Sequence, residues 1–455
     1  MDLAGRSATE LADLVRRKQA SPTEIVAAHL ARIEALDGRV HAFQVVRAER
    51  ALAEARALED RRDLASLPFA GVPVAIKDSV DVAGEPTRHG SAATSNAPAE
   101  RDDELVRRLR AAGCIIIGKT TLPELSIWAF GSSALAEPRN PWNVSRTTGG
   151  SSAGAAAALA SGMVPIAQGS DGGGSIRIPS ACCGVFGIKP TPGLVPCAGG
   201  LESHWFGLSA WGPMATTVAD AARMLDVLAG TSTHADPRPP EAPLRIAFSS
   251  KSPAVGVTVH ADIEQALAAI ADALRAARHS VSENDPPYAA HAPLVFLQRF
   301  YCGIAEDVES MGLPFERLEA RTQQMVKIGR WLTRRRPVRI ERSHALRDRM
   351  LDWFRDVDVL VTPTFARTAI RGDGWPGTGM AKTLFEMTSF VPFTQQWNIV
   401  GFPAASVPVG IASDGLPIGL QVVAPPGRED RILSVCAQLE ALRPWRRHAP
   451  VATAS

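Results

Sequence analysis

Residues 147–177 read TTGGSSAGAAAALASGMVPIAQGSDGGGSIR, and this stretch decides how the rest of the chain is interpreted. It holds two Gly/Ser clusters in which Ser151 and Ser175 lie 24 positions apart, and the small residues between the clusters predict a helix. Glycine adopts positive φ at little cost and lets backbone amides approach a ligand closely. Four consecutive amides of the second cluster are therefore candidates to bind an anion or an oxyanion: those of Gly172, Gly173, Gly174 and Ser175.

Three interpretations of this stretch follow from the residues alone. A phosphate-binding loop is disfavoured, because the stretch has no GxxxxGK(S/T) pattern and no GxGxxG after a strand. A nucleophile elbow fits better, because residues 150–154 match GxSxG with Ser152 at the centre. That motif needs a β-strand directly before it, and residues 143–148 look like a turn instead. A packed glycine-rich connector explains either cluster alone but explains the two together poorly.

The segments outside this stretch predict an α/β fold. Residues 71–76 and 114–117 read as short buried strands, and a helix from Asp102 to Gly113 leads into the second of them. Because a helix followed by a strand is typical of parallel or mixed sheets, we expect a central mixed β-sheet covered by helices on both faces. Further strands are predicted at residues 355–363, 407–410 and 417–423.

The chain is expected to form one large domain over residues 1–445. A mostly helical covering region is expected at about residues 244–350, and residues 446–455 are expected to be a frayed tail. Near the start, Ser21 and Glu24 form a capping box that predicts the beginning of a helix.

Composition narrows the class of protein. The chain has 455 residues, 45% of them hydrophobic and 21% charged, and a formal net charge of +2. Such a length can bury a sizeable core, and near-neutral charge gives no reason to expect a nucleic-acid partner. No signal peptide and no spanning stretch of about 18 apolar residues is visible, so we expect a cytoplasmic protein without a membrane partner. No Cys/His spacing matches a metal site, and no cofactor is expected.

One segment departs from this neutrality. Residues 327–349 contain nine Lys or Arg against only Glu341 and Asp348. An anionic substrate or partner and a solvated helix face are both open interpretations, and the balanced charge of the whole chain favours the second.

Eight motifs follow one another along nearly the whole chain: GVPVAIKD at 71–78, RNPW at 139–142, GGSS at 149–152, GSDGGGSIR at 169–177, CGVFGIKPT at 183–191, GPMA at 212–215, VTPT at 361–364 and PIGLQ at 417–421. Together they resemble the motifs of the amidase signature family of serine hydrolases. The similarity is weakest at about residues 240–350. Ala153 and Gly172 depart from residues common in that family, but the amide needed at position 172 is present.

The resemblance implies roles for particular residues. Ser175 would be the nucleophile, Ser151 the bridging serine that follows a cis peptide bond, and Lys77 the base. The four amides of residues 172–175 would form the oxyanion hole. Asp171 and Arg177 would hold this segment, the glycine loop of residues 172–175, rather than touch substrate. Ser152, the candidate of the elbow interpretation, would then be a neighbour of the site and not its nucleophile.

The chemistry of these residue types agrees with such roles. A serine hydroxyl is a poor nucleophile until a base removes its proton. Lysine can be that base only when neutral, and burial favours the neutral form because the charged form loses solvation. The apolar residues 73–76 before Lys77 suit such burial. A surface cation, or an ion pair with Asp78, is the alternative for Lys77 considered alone.

The expected function is hydrolysis of a carboxamide C–N bond through an acyl-enzyme, with release of ammonia or an amine. The expected partner is a small-molecule amide, and a homodimer is among the assemblies that the sequence leaves open. Candidates for an apolar or aromatic acyl pocket, which are equally well explained as core residues, are Ile127, Trp128, Phe130, Trp205, Phe206 and Trp397.

Two functions of other classes stay open. The first is a glutamine amidotransferase-type subunit that works with a partner chain on aminoacyl-tRNA. Residues 204–211 lack the Ser-Leu-Asp-Gln pattern of that subunit, which argues against it. The second is an inactive binding or scaffold homologue, which the intact triad and amide loop disfavour.

Overall fold

A computed structural model of the protein describes residues 2–375 and 377–452, and the strands within these ranges build the centre of the fold. In chain order they are β1 (Phe43–Val46), β2 (Pro73–Lys77), β3 (Ile115–Thr120), β4 (Arg139–Asn140), β5 (Asn143–Thr147), β6 (Ile166–Asp171), β7 (Phe186–Lys189), β8 (Ala210–Ala215), β9 (Arg245–Phe248), β10 (Ser280–Glu283), β11 (Val359–Pro363), β12 (Ala404–Ile411) and β13 (Pro417–Val423).

Eleven of these strands form one mixed sheet in the order β1-β3-β2-β6-β8-β7-β12-β13-β11-β9-β10. Strand β2 runs parallel to both of its neighbours, β3 and β6. Strands β2, β3, β8, β11 and β13 are buried along their whole length, so both faces of the sheet are covered. The predicted α/β fold with a central mixed sheet is confirmed.

Parallel pairing of β2 with β6 prepares the site. Ile76 is the partner of Gln168, so Lys77, at the end of β2, comes next to the last residues of β6. The carboxyl ends of parallel strands meet at one edge of a sheet, where ligands bind in open α/β folds. The lysine that ends one strand and the Gly/Ser cluster that ends the other are therefore brought together by the sheet itself.

The helices pack on this sheet and extend beyond it. They are α1 (Ala8–Arg16), α2 (Pro22–Val40), α3 (Ala48–Glu59), α4 (Glu104–Ala111), α5 (Ala153–Ala160), α6 (Arg177–Cys183), α7 (Val218–Ala229), α8 (Ala261–Ala276), α9 (Ala292–Ser310), α10 (Ala320–Arg335), α11 (Glu341–Trp353), α12 (Met380–Phe390), α13 (Gln395–Ile399) and α14 (Glu429–Leu442). Among the described residues, no helix combines the length and apolarity that a membrane span requires.

Helix α5 explains the run of small residues between the two clusters. Every one of its residues is buried, and it is built almost entirely of alanine. A Cβ added to Gly154 would collide with the carbonyl oxygen of Ala42 and with the side chain of Thr121. Small side chains thus let the helix approach the neighbouring backbone closely and hold the first Gly/Ser cluster at its N-terminus.

Several local predictions can be compared with the structure. The capping box at Ser21 and Glu24 is present at the start of α2. The turn predicted at residues 143–148 is wrong, since residues 143–147 form β5. That strand pairs with β4 in a separate two-stranded sheet and forms an isolated bridge from Arg146 to Arg371, so it does not place Ser152 on the central sheet.

Two regions differ from the expected domain plan. Residues 244–350 contain α8, α9 and α10 and most of α11, and they also add β9 and β10 to the edge of the main sheet. The described part of the expected frayed tail packs instead, because Ala449 is fully buried and its amide donates to the carbonyl of Ala160 at 2.7 Å. Residues 453–455 of that tail lie outside the described residues.

Candidate active site

Lys77 lies in the interior with its amine next to two serines. Its Nζ lies 2.7 Å from Ser151 Oγ and 2.9 Å from Ser170 Oγ, and the side chain is fully buried. Burial lowers its pKa from 10.5 to about 7, an effect that the charge of Asp171 partly opposes. A neutral amine at this place can accept a proton from Ser151 while it donates a hydrogen bond to Ser170.

Three lysines are fully buried among the described residues, and their partners separate them. Lys119 pairs with Asp78 at 2.8 Å, so the carboxylate that follows Lys77 in sequence is already paired with another lysine. Lys189 donates to the carbonyl of Pro190 at 3.0 Å. Lys77 is therefore the buried lysine whose amine is in contact with serine hydroxyls, and the alternative of a Lys77–Asp78 ion pair is not supported.

Ser151 follows a cis peptide bond at Gly150, which agrees with the expectation from the resemblance. Gly150 lies against the carbonyl oxygens of Trp128 and Phe130, each 2.6 Å from the place where a Cβ would be. Any larger residue would displace these carbonyls. The loop therefore fixes the Ser151 hydroxyl over Lys77 by close backbone packing.

Ser152 braces the loop and is fully buried. Its amide donates to the carbonyl of Ser175 at 3.0 Å. Its hydroxyl donates to the carbonyl of Ser170 at 3.2 Å and accepts from the amide of the same residue at 3.3 Å. A hydroxyl engaged in this way with the backbone is not free to attack a substrate, so the structure favours Ser175 over Ser152 as the nucleophile.

Ser175 is partly exposed and borders the same cavity as Ser151 and Ser170. Of the four amides predicted for the oxyanion hole, that of Gly174 is already used, because it donates to Asp171 Oδ1 at 2.7 Å. Gly174 is thus a correction to the predicted set, with Asp171 as the physical reason. In the described part of the chain, the amides of Gly172, Gly173 and Ser175 have no acceptor, so they can receive a substrate oxygen.

The glycine loop is held from below by a buried ion pair. Arg177 contacts Asp171 through Nε and Nη2, both at 2.9 Å, and both side chains are fully buried. Burial by itself would raise the pKa of Asp171, but the Arg177 guanidinium holds it well below its usual range. The three remaining guanidinium hydrogens donate to Gln421 Oε1 at 2.6 Å, to Asn398 Oδ1 at 2.7 Å and to the carbonyl of Thr394 at 2.9 Å. Asp171 and Arg177 are not among the residues that line the cavities at Ser175.

Two neighbouring cavities share Ser175 in their walls. The wide cavity has a volume of about 270 Å³ and is bordered by Ser151, Ser175, Trp205 and Trp211 among others. The narrow cavity, of about 20 Å³, has mostly apolar walls, including Ile127, Trp128, Ile178, Trp205, Phe296, Phe300 and Met387. By volume, the narrow cavity has room for one or two heavy atoms.

The six aromatic and aliphatic candidates divide into two groups. Ile127 and Trp128 border the narrow cavity, and Trp205 borders both cavities. The other three are not among the residues that line either cavity. Phe130 stacks on Trp375 at 3.9 Å, Trp397 packs in the core against Tyr288 and Phe402, and the carbonyl of Phe206 binds Arg299.

Unusual backbone conformations gather around these cavities. Of the eight described non-glycine residues with positive φ, five lie at or next to the cavity walls: His89, Leu125, Ser126, Trp205 and Phe206. Left-handed φ is uncommon for such residues and persists where the surrounding structure imposes it. Their concentration here indicates a wall whose shape is enforced by the fold.

Sequence reasoning missed several residues that complete the site. Ser170, in the quoted GSDGGGSIR motif, received no role although it contacts Lys77 Nζ. Gln421, in PIGLQ, likewise received no role although it binds Arg177. Asn398 had no signal in the sequence, because its contact with Arg177 joins positions 221 residues apart. Neighbouring strands and long-range contacts of this kind are not visible without the fold.

Comparison with known proteins agrees with this geometry. The family model described as Amidase matches residues 24–433. The chain is 42% identical over 464 residues to "Putative amidase AmiB2" of Mycobacterium tuberculosis strain H37Rv, covering 99% of this chain and 98% of the relative.

Solved structures give the same result. The chain is similar to 6-aminohexanoate cyclic dimer hydrolase complexed with substrate, at 32% identity and a TM-score of 0.89, with 99% of this chain and 100% of that chain covered. It is also similar to one of the subunits of glutamyl-tRNA(Gln) amidotransferase from Thermotoga maritima, at 25% identity and a TM-score of 0.78, with coverage of 99% and 98%.

Proposed function

The chain belongs to the amidase signature family and is an amide hydrolase, and we propose that it cleaves a small-molecule carboxamide through an acyl-enzyme on Ser175. One observation carries this assignment of residues: Lys77, with a pKa of about 7, lies 2.7 Å from Ser151 Oγ at the edge of the cavity that contains Ser175. A neutral buried amine beside a serine is the base that a serine nucleophile requires.

The first half of the reaction forms the acyl-enzyme. Ser175 Oγ attacks the carbonyl carbon as its proton passes to Ser151, which passes its own proton to Lys77. The negative charge that develops on the carbonyl oxygen is stabilised by the free amides of the glycine loop. When the tetrahedral intermediate collapses, the C–N bond breaks and the proton returns through Ser151 to the leaving nitrogen, which departs as ammonia or an amine.

The second half releases the acid. A water molecule loses a proton to the same Ser151–Lys77 pair and attacks the acyl carbon. The intermediate collapses with Ser175 as the leaving group, which recovers a proton through Ser151. Lys77 ends neutral, so the site is restored and no group outside the triad and the loop has to change its charge.

The shape of the two cavities supports an amide with a small apolar part beside the reacting carbon. The narrow cavity would take that part between Ile127, Trp128 and Ile178, and the wide cavity would take the remainder. A charged α-amino acid head in the narrow cavity would lose its solvation without a partner, which costs several kcal/mol. We therefore expect apolar amides to be preferred over glutamine and asparagine.

The amidotransferase alternative has one supporting observation, the similarity to part of a glutamyl-tRNA(Gln) amidotransferase. The closer similarity in sequence and structure to 6-aminohexanoate cyclic dimer hydrolase favours simple hydrolysis. Action without nucleic acid, a homodimeric assembly and a cytoplasmic location remain predictions. Purification of the protein alone, followed by an assay without tRNA, tests the first of these.

The experiment that tests the proposed function compares two serine variants. Ser175→Ala should abolish ammonia release from an apolar amide, and mass spectrometry after incubation with a fluorophosphonate should detect no adduct. Ser152→Ala should keep a measurable fraction of both signals, because its hydroxyl only braces the loop. An adduct found on Ser152 in the wild-type protein would contradict the assignment of the nucleophile.

A further inference from the structure

The wall of the wide cavity contains a hydrogen-bonded chain of three side chains that the mechanism above does not use. His204 Nδ1 lies 2.7 Å from Ser209 Oγ, and His204 Nε2 lies 3.2 Å from Asp307. Asp307 also accepts a hydrogen bond of 2.6 Å from Trp205 Nε1. All four residues border the cavity that contains Ser151 and Ser175.

The chemistry of the chain sets the direction of its hydrogen bonds. A carboxylate can only accept, so Asp307 places the ring proton of neutral His204 on Nε2. His204 Nδ1 is then an acceptor, and it takes the hydrogen of the Ser209 hydroxyl. Because that hydrogen is engaged, Ser209 Oγ can present only lone pairs to a further group, and it acts there as an acceptor.

Ser209 lies beside the glycine loop. A Cβ added to Gly172 would lie 3.1 Å from Ser209 Oγ and 2.7 Å from the ring of Trp205. The serine is buried, with 5% of its surface exposed. The acceptor Ser209 Oγ is thus a close neighbour of Gly172, whose amide is one of the free donors of the loop.

This pair of groups complements the two ends of a carboxamide. The carbonyl oxygen of an amide accepts hydrogen bonds, and the nitrogen on the same carbon carries N–H donors. We propose that Ser209 Oγ accepts a hydrogen bond from the N–H of the scissile amide while the glycine loop binds its oxygen. His204 and Asp307 are positioning residues that keep Ser209 in the accepting state.

The proposal rests on the proposed function and deepens it, because it gives the enzyme a means to distinguish amides from esters. An ester has no N–H, so it would leave Ser209 without a partner. The same hydrogen bond orients the nitrogen lone pair away from Ser209, which leaves it available for the proton that Ser151 returns. Amides with at least one N–H are the predicted substrate class, and fully substituted amides are excluded from it.

The test compares a primary amide and the methyl ester of the same apolar acid. Ser209→Ala should lower kcat/KM for the amide at least tenfold and for the ester less than threefold, since one hydrogen bond of about 1.4 kcal/mol is a factor of ten. Ser209→Thr, which keeps a hydroxyl, should recover most of the amide activity. Like Ser209→Ala, His204→Phe should lower the ratio of kcat/KM for the amide to kcat/KM for the ester, because the hydroxyl hydrogen of Ser209 is then free to rotate.

Ser310→Ala is the matched control, since Ser310 borders the same cavity but is exposed and donates to the carbonyl of Asp307 within its own helix. Its amide-to-ester ratio should stay that of the wild type. Ser209→Cys, which keeps the size of the side chain but accepts weakly, replaces Ser209→Ala if that variant does not fold.

Each remaining outcome counts against the proposal. Equal loss for amide and ester would mean that Ser209 supports the loop or the carbonyl oxygen, and unchanged kcat/KM for both substrates would mean that Ser209 does not contact the amide nitrogen. Failure of the proposed function is separate from both, because it would appear as hydrolysis of amide and ester by Ser175→Ala.

Discussion

Replacement of Lys77 tests the central claim about the base. Lys77→Met keeps an unbranched side chain of similar length and removes the amine that contacts Ser151 and Ser170. Triad members act as a unit, so we expect kcat/KM for an apolar amide to fall by roughly three orders of magnitude or more. A variant within about tenfold of the wild type would refute the role, because that corresponds to only about 1.4 kcal/mol.

The lowered pKa of Lys77 also predicts how the reaction rate depends on pH. With a pKa of about 7, about half of the Lys77 side chains are neutral at pH 7. With the ordinary value near 10.5, only about one in 3,000 would be neutral. The value of kcat/KM should therefore rise about tenfold per pH unit below pH 7 and reach a plateau above about pH 8. A rise that continues to pH 10 would contradict the depressed pKa.

Lys189→Met is the matched control, because burial lowers the pKa of Lys189 to about 7 as well. Its amine donates to the carbonyl of Pro190 and not to a serine. A pH–rate profile that persists in Lys189→Met and is lost with Lys77→Met assigns the titration to Lys77. Loss of the pH dependence in Lys189→Met would mean that Lys189, and not Lys77, is the group that titrates.

The same substitution should change stability in the opposite direction from activity. The folded pKa of Lys77 is below its unfolded value, so the protein loses stability as pH falls from about 10.5 to about 7, and the loss is complete below that. This loss amounts to about 5 kcal/mol as an upper figure. In urea unfolding, the free energy of unfolding of Lys77→Met should therefore exceed that of the wild type most at pH 6 to 7. The difference between the two proteins should shrink towards pH 10.

Three further predictions concern the pocket, the loop and the packing. Trp128→Ala should widen the narrow cavity and so shift the preference from acetamide-sized amides towards bulkier apolar ones, because Trp128 borders that cavity; an equal loss across a substrate panel would identify it as core. Arg177→Leu should destabilise the protein by about 3–5 kcal/mol in urea unfolding, since it leaves the buried charge of Asp171 unpaired, and a loss below about 1 kcal/mol would contradict the importance of this pair. Gly154→Ala should lower the melting temperature clearly, because its Cβ collides with a backbone carbonyl, whereas Gly410→Ala, in open space, should not.

The sequence predicted the parts of the fold that have local signals. Apolar runs such as residues 417–423 agree with β13, and the capping box at Ser21 agrees with the start of α2. Strands β6 and β8 were not predicted, because IAQGSD and AWGPMA mix glycine, proline and polar residues that are atypical of strands. Their place at the centre of the sheet is imposed by neighbouring strands, which is information that no short window contains.

The site was predictable as a set of residues but not as a geometry. Motifs identified Lys77, Ser151 and Ser175 as candidates, whereas the use of the Gly174 amide by Asp171 depends on how the loop turns back on its own carboxylate. Three of the six acyl candidates do not line either cavity, for a related reason. Trp128 and Phe130 are two positions apart, yet Trp128 borders the narrow cavity and Phe130 stacks on Trp375, because the chain between them does not keep a regular period.

The buried charges of the site act on one another, and this coupling explains why so many residues are needed beneath a small loop. Asp171 raises the pKa of Lys77, which opposes the neutral state that a base requires. Arg177 holds Asp171 in a bidentate contact, and its opposite charge cancels much of the field that Asp171 exerts on the lysine. Asn398, Gln421 and the carbonyl of Thr394 then satisfy the guanidinium so that it can stay buried. The loop is thereby fixed by a strong ion pair whose net charge is close to zero, and burial is left to decide the protonation state of Lys77.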